Sequence, residues 1–307
     1  MPTKETIRDW FSHLQNDICK QLEDTDGQGK FIRDEWERPG GGGGVSSVLT
    51  NGSIIEKGGV NFSAVWGKAP EPVLKSLNLN ADDQIDFFAT GISIVIHPFN
   101  PMVPIIHMNT RYFEILPAGR QGDNGMWWFG GGIDLTPHYV NEDDAHYFHQ
   151  QLKSVCDKHN PSYYPDFKKW ADDYFFIKHR NETRGIGGIF FDYLKAENSF
   201  TKESRFEFVK DVGASFAPLY SHFMKKNSSL PFSENEKQWQ SLRRGRYVEF
   251  NLVWDRGTKF GLDTDGRTES ILMSLPPQAN WEYNQKPKPE SKEKKTLSLL
   301  KKNINWI

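Results

Sequence analysis

Ile7, Trp10, Phe11, Leu14, Ile18 and Leu22 recur at steps of three and four, so the chain opens with an amphipathic helix that stops in Thr25-Asp26-Gly27-Gln28-Gly29. From Phe31 to Trp66 the texture changes to short β-type runs, broken by the glycines 40–44 and by the turn signal Asn51-Gly52. Gly58-Gly59, inside the run from Ile54 to Val65, predicts a bulge or a close backbone approach. Further on, Ile92, Ile94 and Ile96 alternate with Ser93, Val95 and His97, and a second β-type run covers Ile105 to Phe113. The turn His97-Pro98-Phe99-Asn100-Pro101 joins the two into a hairpin. Alternation then makes His107, Asn109 and Arg111 neighbours on one face.

Three aromatics and three glycines meet at Trp127-Trp128-Phe129-Gly130-Gly131-Gly132, followed by Ile133 and Asp134. Such a run suits a wall where a flat ligand lies close to bare backbone. Alternation turns only one of Trp127 and Trp128 toward that ligand and assigns the other to the core. Asn141 then begins a helix with acids in its first turn, and a second helix fits Asp166 to Lys178. A short strand covers Ile189 to Phe191, and a long helix runs from about Thr201 to Lys226. Ser233-Glu234-Asn235-Glu236 is a capping box opening another helix. The run Tyr247 to Trp254 reads as a strand, and the Lys/Pro/Glu-rich stretch from Lys286 to Lys295 as a solvated connection to a last short helix. Strands in the first half and helices in the second do not alternate as βαβ units. The pattern predicts an α+β fold, an antiparallel sheet covered by helices, in one domain spanning residues 1–307.

Charge adds exclusions. The 38 Lys+Arg nearly balance the 40 Asp+Glu, for a net charge of -2, so nothing suggests a nucleic-acid or membrane surface. No stretch approaches the roughly 20 apolar residues needed to span a bilayer. Cys19 and Cys156 are the two cysteines, both on helical segments, which argues against a disulfide framework. The polar, acidic start shows neither an apolar signal core nor an Arg-rich transit segment, and the expected compartment is the cytoplasm.

Candidate chemistry comes from local clusters. The glycines 40–44 lead into the β-type run Val45-Ser46-Ser47-Val48-Leu49 rather than a helix, so neither a dinucleotide fingerprint nor a P-loop has its context. They read either as flexible loop or as a ligand-facing lid. Arg111, Arg184 and Arg267 sit among Gly, Asn and Thr, where a guanidinium fork can grip a carboxylate; the plainer reading of each is a surface ion pair. His146 and His149 lie at i, i+3 on one helix, but no His-Glu-x-x-His pattern or Cys pair accompanies them. His107, beside Arg111, reads as an acid, base or donor in a ligand cavity, or as a satisfied imidazole. Asp134 should be partly desolvated, with its pKa raised unless a cation or N–H partner holds it charged; a turn cap is the alternative.

Five stretches together, residues 40–46, 56–63, 127–139, 179–188 and 247–274, resemble oxygen-dependent coproporphyrinogen-III oxidase, in order over nearly the whole chain. The resemblance implies a sheet of about seven antiparallel strands flanked by helices on both faces, and a homodimer formed by the segment from about Tyr247 to Trp281. It implies oxidative decarboxylation of two propionates of coproporphyrinogen III to vinyl groups, giving protoporphyrinogen IX, with O2 as oxidant and no required cofactor. Ser93, Asn109, Thr110, Arg111 and the segment Asp265-Gly266-Arg267 match substrate-binding positions, with Asp265 standing where the family usually has Gly. His107 matches the proposed proton donor. His97, His107, His146 and His179 match positions proposed as divalent-metal ligands in some bacterial members. On this reading Asp134 accepts hydrogen bonds from pyrrole N–H groups, and Arg111, Arg184 and Arg267 hold propionates. A non-catalytic tetrapyrrole carrier would share the cavity and the arginines without needing an acid at position 134.

Overall fold

The β-type runs of the first half pair in antiparallel order in a computed structural model that describes residues 1–69, 71, 74, 85–117, 125–263 and 266–307. The strands are β1 (Ile32–Glu37), β2 (Gly42–Thr50), β3 (Ile55–Lys68), β4 (Ile85–Pro98), β5 (Ile105–Pro117) and β6 (Met126–Thr136). β7 (Phe176–Ile177) and β8 (Glu182–Thr183) form a separate small hairpin, and β9 (Gly188–Leu194) returns to pair with β6 as the seventh strand of the main sheet. Spatial order follows chain order from β1 to β6, and β9 joins the far side of β6 after the intervening helices and the small hairpin. Asn51, at φ 56, makes the turn between β2 and β3 as its side chain permits.

The helices are α1 (Lys4–Asp26), α2 (Glu142–Asp157), α3 (Tyr163–Tyr174), α4 (Lys202–Asn227), α5 (Glu234–Glu249), α6 (Arg256–Asp263), α7 (Thr268–Leu272) and α8 (Lys292–Leu299). Their ends are written in the sequence. Thr3 and Asn141 accept the third helical N–H of α1 and α2, Gly27 closes α1 at φ 80, and the capping box at Ser233 and Glu236 opens α5. Ile7, Phe11, Leu14, Ile18 and Leu22 of α1 pack with Phe208, Val212, Phe216 and Phe223 of α4 against one face of the sheet. That face presents Val60, Ile92, Ile94, Met108, Phe129 and Ile133. Trp127 joins this core, whereas Trp128 stacks on Phe113 and Tyr193 on the opposite face, as alternation requires.

One local expectation is corrected. The run Tyr247 to Trp254 is not a strand: α5 continues through Glu249, and Phe250–Trp254 is a π-helical turn. Its buried residues Tyr247, Phe250 and Asn251 fall at i, i+3 and i+4, while Leu252 and Val253 are exposed, so packing overrides the β propensity of the individual residues. The irregularity in β3 lies between Ile55 and Lys57, just before Gly58-Gly59.

Candidate active site

Pairing register lays out the second face of the sheet in rows. One row runs Asp34, Ser46, Asn61, Ser93, Asn109, Gly132; the next runs Trp36, Gly44, Ser63, Gly91, Arg111, Gly130. Short polar side chains and glycines therefore alternate with the apolar residues that fill the core side. Ser63, Gly91, Ser93, Asn109 and Arg111 are half-buried and form a polar floor. Thr110, one residue out of phase, is buried on the helix-covered face, so its side chain does not reach this floor.

Toward one end the floor is roofed. Ser270 of α7 bonds Ser46 at 2.8 Å, its carbonyl accepts from Asn61 Nδ2 at 2.7 Å, and Met273 fills the space that a Cβ on Gly59 would take. Arg267 reaches past Ser46 and Ser270 to pair with Asp34. Arg111 donates from Nη2 to Asp192 at 2.6 Å and from Nη1 to Asn109 at 3.3 Å. Gly130 makes room for that pair, since a Cβ there would lie 2.6 Å from Asp192 Oδ1 and 2.9 Å from Arg111 Cζ. Gly266 sits in the α6–α7 loop, its N–H donating to Gly261 at 2.8 Å, and Asp265 lies outside the described residues.

His107 and Asp134 face each other across β5 and β6. His107 Nδ1 lies 2.8 Å from Asp134 Oδ1. Arg184 donates to the same carboxylate from Nη2 at 2.6 Å and Nε at 3.2 Å, and from Nη1 to Asn251 Oδ1 at 3.1 Å. The guanidinium is enclosed by the rings of Phe175, Phe250 and Tyr247, with centroids 4.4, 4.6 and 4.8 Å away. Burial pushes the Asp134 carboxyl up, but the Arg184 charge and the bonds from His107 and Arg184 outweigh it. Asp134 is held below the ordinary carboxylate range and is charged. Asp134 Oδ1 accepts from His107 and Arg184 and Oδ2 from Arg184, so the acid is buried against these two side chains, and Arg184, expected to hold a propionate, is buried on Asp134.

The four candidate metal histidines do not converge. His97 is buried, donating from Nε2 to the Ser274 carbonyl, and burial together with Arg244 pushes it down to about 3. His146 bonds the Trp306 carbonyl from Nδ1. His179 donates from Nε2 to Glu249 and accepts the Trp254 indole N–H at Nδ1. Among the described residues no group of three His, Cys, Asp or Glu can hold a metal ion, because each imidazole already serves a different part of the fold. A surface groove of about 590 Å³ past Tyr139, Asp144, Lys292 and Lys295 touches none of the site residues.

Sequence reasoning missed Asp192, Asn251, Asp34 and the Ser46–Asn61–Ser270 anchor. Asp192 had a readable signal, an acid two residues after Phe190 on the same strand face. Asn251 was hidden by reading its segment as a strand.

The chain matches the family model described as coproporphyrinogen III oxidase over residues 6–306. It is 52% identical over 301 residues to the oxygen-dependent coproporphyrinogen-III oxidase of Drosophila melanogaster, covering 96% of this chain and 76% of the relative. The chloroplastic enzyme of Glycine max is 50% identical over 298 residues, covering 95% and 77% of the two chains. The enzyme of Prochlorococcus marinus is 46% identical over 323 residues, covering 98% and 92%. At such identity over nearly its full length, the chain belongs to the coproporphyrinogen III oxidase family.

Proposed function

We propose that the chain catalyses the oxygen-dependent oxidative decarboxylation of coproporphyrinogen III in haem biosynthesis, and that the chemistry is done on the polar face of the sheet. Each of two propionates becomes a vinyl group: CO2 leaves, two electrons and two protons pass to O2, and H2O2 forms. The observation that carries the site assignment is the hydrogen-bonded His107–Asp134–Arg184 chain beside a floor of Ser93, Asn109 and Arg111. Asp134 holds His107 through Nδ1, which leaves Nε2 as the ring nitrogen that takes up or returns a proton at the substrate. Arg184 keeps Asp134 anionic and fixed. Arg111 and Arg267, with Ser93, Asn109 and the Gly266 backbone, receive the carboxylates of the tetra-acid substrate. The reduced ring is electron-rich enough to react with O2 itself, so this reading needs neither a metal nor an organic cofactor.

The same reading treats the chain as one domain working as a homodimer. Exposed Leu252, Val253, Leu262 and Trp281 in the segment from Tyr247 to Trp281 support the pairing. Among the described residues no helix is long and apolar enough to cross a membrane, and Cys19 and Cys156 are free. Free thiols support a reducing, cytoplasmic setting, although relatives include chloroplastic and mitochondrial enzymes. Incubating the purified chain with coproporphyrinogen III in air should yield protoporphyrinogen IX and H2O2. Binding of the porphyrin without turnover would favour the carrier instead.

A further inference from the structure

Glu249 ends α5, one residue before the π-helical turn, and four side chains converge on its carboxylate. His179 Nε2 donates at 2.7 Å, Arg180 donates from Nε at 2.8 Å and Nη2 at 2.6 Å, Arg246 Nη1 at 3.1 Å and Trp281 Nε1 at 2.9 Å. His179 and Arg180 lie in the turn between β7 and β8, and the strand after that turn delivers Arg184. Beyond Glu249 on the other side, the π-helical turn delivers Asn251, which accepts from Arg184. The Trp254 indole closes the ring by donating to His179 Nδ1 at 2.9 Å. One carboxylate therefore fastens together the two chain segments that hold the Arg184 guanidinium.

We infer that Glu249 is a positioning residue for the oxidase reaction: by locking the β7–β8 turn to the π-helical turn it fixes Arg184 on Asp134, and through Asp134 the orientation of His107. Glu249 touches none of the floor residues, so its effect falls on the chemical step and not on substrate capture. A single exposed ion pair contributes little, whereas several donors converging on one carboxylate form a network with a defined geometry. A half-buried carboxylate that accepts five hydrogen bonds from four side chains fixes a geometry, and misplacing a catalytic group by about 1 Å can cost on the order of 100-fold in rate.

The inference rests on the functional reading above, and the test separates the two. Wild type and Glu249→Gln are compared for kcat and KM with coproporphyrinogen III across pH, with circular dichroism confirming the fold. Expected for Glu249→Gln is a kcat lowered about tenfold with KM within about twofold of wild type. The acid limb of kcat should also move to higher pH, because a loosened Arg184 stabilises the Asp134 anion less. Asp134 is faced by Arg184 from the β8 side, His107 from β5 and Tyr247 from α5, and of these Arg184 is the one whose segment Glu249 fastens. Trp281→Phe, which removes one donor and leaves the ion pairs, should keep most of the rate. An active wild type with an unchanged kcat and pH profile in Glu249→Gln overturns the inference, as does a loss confined to KM. Absence of turnover in the wild type overturns the functional reading instead.

Discussion

Arg184 and Asp134 form an ion pair in which the side chains are 2% and 1% exposed, at 2.6 Å. Removing one member of such a pair strands the other charge without water, which costs about 3–5 kcal/mol, whereas replacing both with apolar groups is often neutral. Arg184→Met should therefore lower unfolding free energy by about 3–5 kcal/mol, a large share of the roughly 5–15 kcal/mol that holds a folded chain. The three rings around the guanidinium return part of the loss, since a thioether against an aromatic gains about 0.3–1.5 kcal/mol per contact. Asp134→Leu combined with Arg184→Met should then recover to within about 2 kcal/mol of wild type. Activity should not follow stability. The double variant leaves His107 Nδ1 without its carboxylate, and losing an oriented acid–base group costs about 10²–10⁴ in rate. Urea titrations followed by circular dichroism give the first set of numbers and protoporphyrinogen formation the second. A cost for Arg184→Met below about 1 kcal/mol, or a double variant that is both stable and active, would refute the reasoning.

Arg111→Ala should raise KM by about tenfold or more with a smaller effect on kcat, as expected for losing a charged hydrogen bond of about 1.5–3 kcal/mol to a propionate; steady-state kinetics against coproporphyrinogen III checks it. Gly130→Ala places a Cβ 2.6 Å from Asp192 Oδ1 and should displace the Arg111–Asp192 pair, so it should raise KM in the same direction while stability measured by melting falls only modestly. Acid should remove the stability that Glu249 supplies. Its folded-state pKa is depressed from 4.5 to about 2, by donors that outweigh the effect of burial. A depressed carboxylate stabilises above its unfolded pKa and loses that contribution as pH falls through the folded value. The melting-temperature gap between wild type and Glu249→Gln should thus be full at pH 7 and close progressively below about pH 4.5, and a gap that widens in acid contradicts the assignment.

What could be read in advance was local. The β4–β5 hairpin follows from alternating isoleucines around a proline-rich turn, and it placed His107, Asn109 and Arg111 on one face because a period of two leaves no choice. Helix starts at Asn141 and Ser233 carried their own capping side chains. The partners of those groups were not readable. Asp134 pairs with Arg184, 50 positions away, and Arg267 with Asp34, 233 positions away. Sequence reasoning could say that a desolvated acid needs a cation, but not which one. It assigned all three arginines to propionates because nothing local separates a buried guanidinium from an open one. The misread segment from Tyr247 to Trp254 is instructive in the same way: residue preferences favoured a strand, while the three residues that meet Arg184 and the sheet are spaced for a helix.

The glycines around Phe129 change meaning in three dimensions. They suggested a bare backbone wall for a flat ligand, yet Gly131 faces the core and admits Phe191, Gly132 admits Phe190, and Gly130 admits the Arg111–Asp192 pair. Each absent Cβ lets protein approach protein, and the one at Gly130 makes room for the guanidinium that projects from the second face. On the proposed function, the surface offered to the substrate is then that of β3 to β5, through Ser63, Gly91, Ser93, Asn109 and Arg111, with His107 at the edge. The same strands bury Phe62, Ile92, Ile94 and Met108 on the reverse side, so slipping β5 by one residue would carry its polar groups into the core and its apolar ones into the cleft. The core therefore enforces the register of the active face, and a substitution that weakens packing of α1 or α4 should disturb catalysis without touching any residue that meets the substrate.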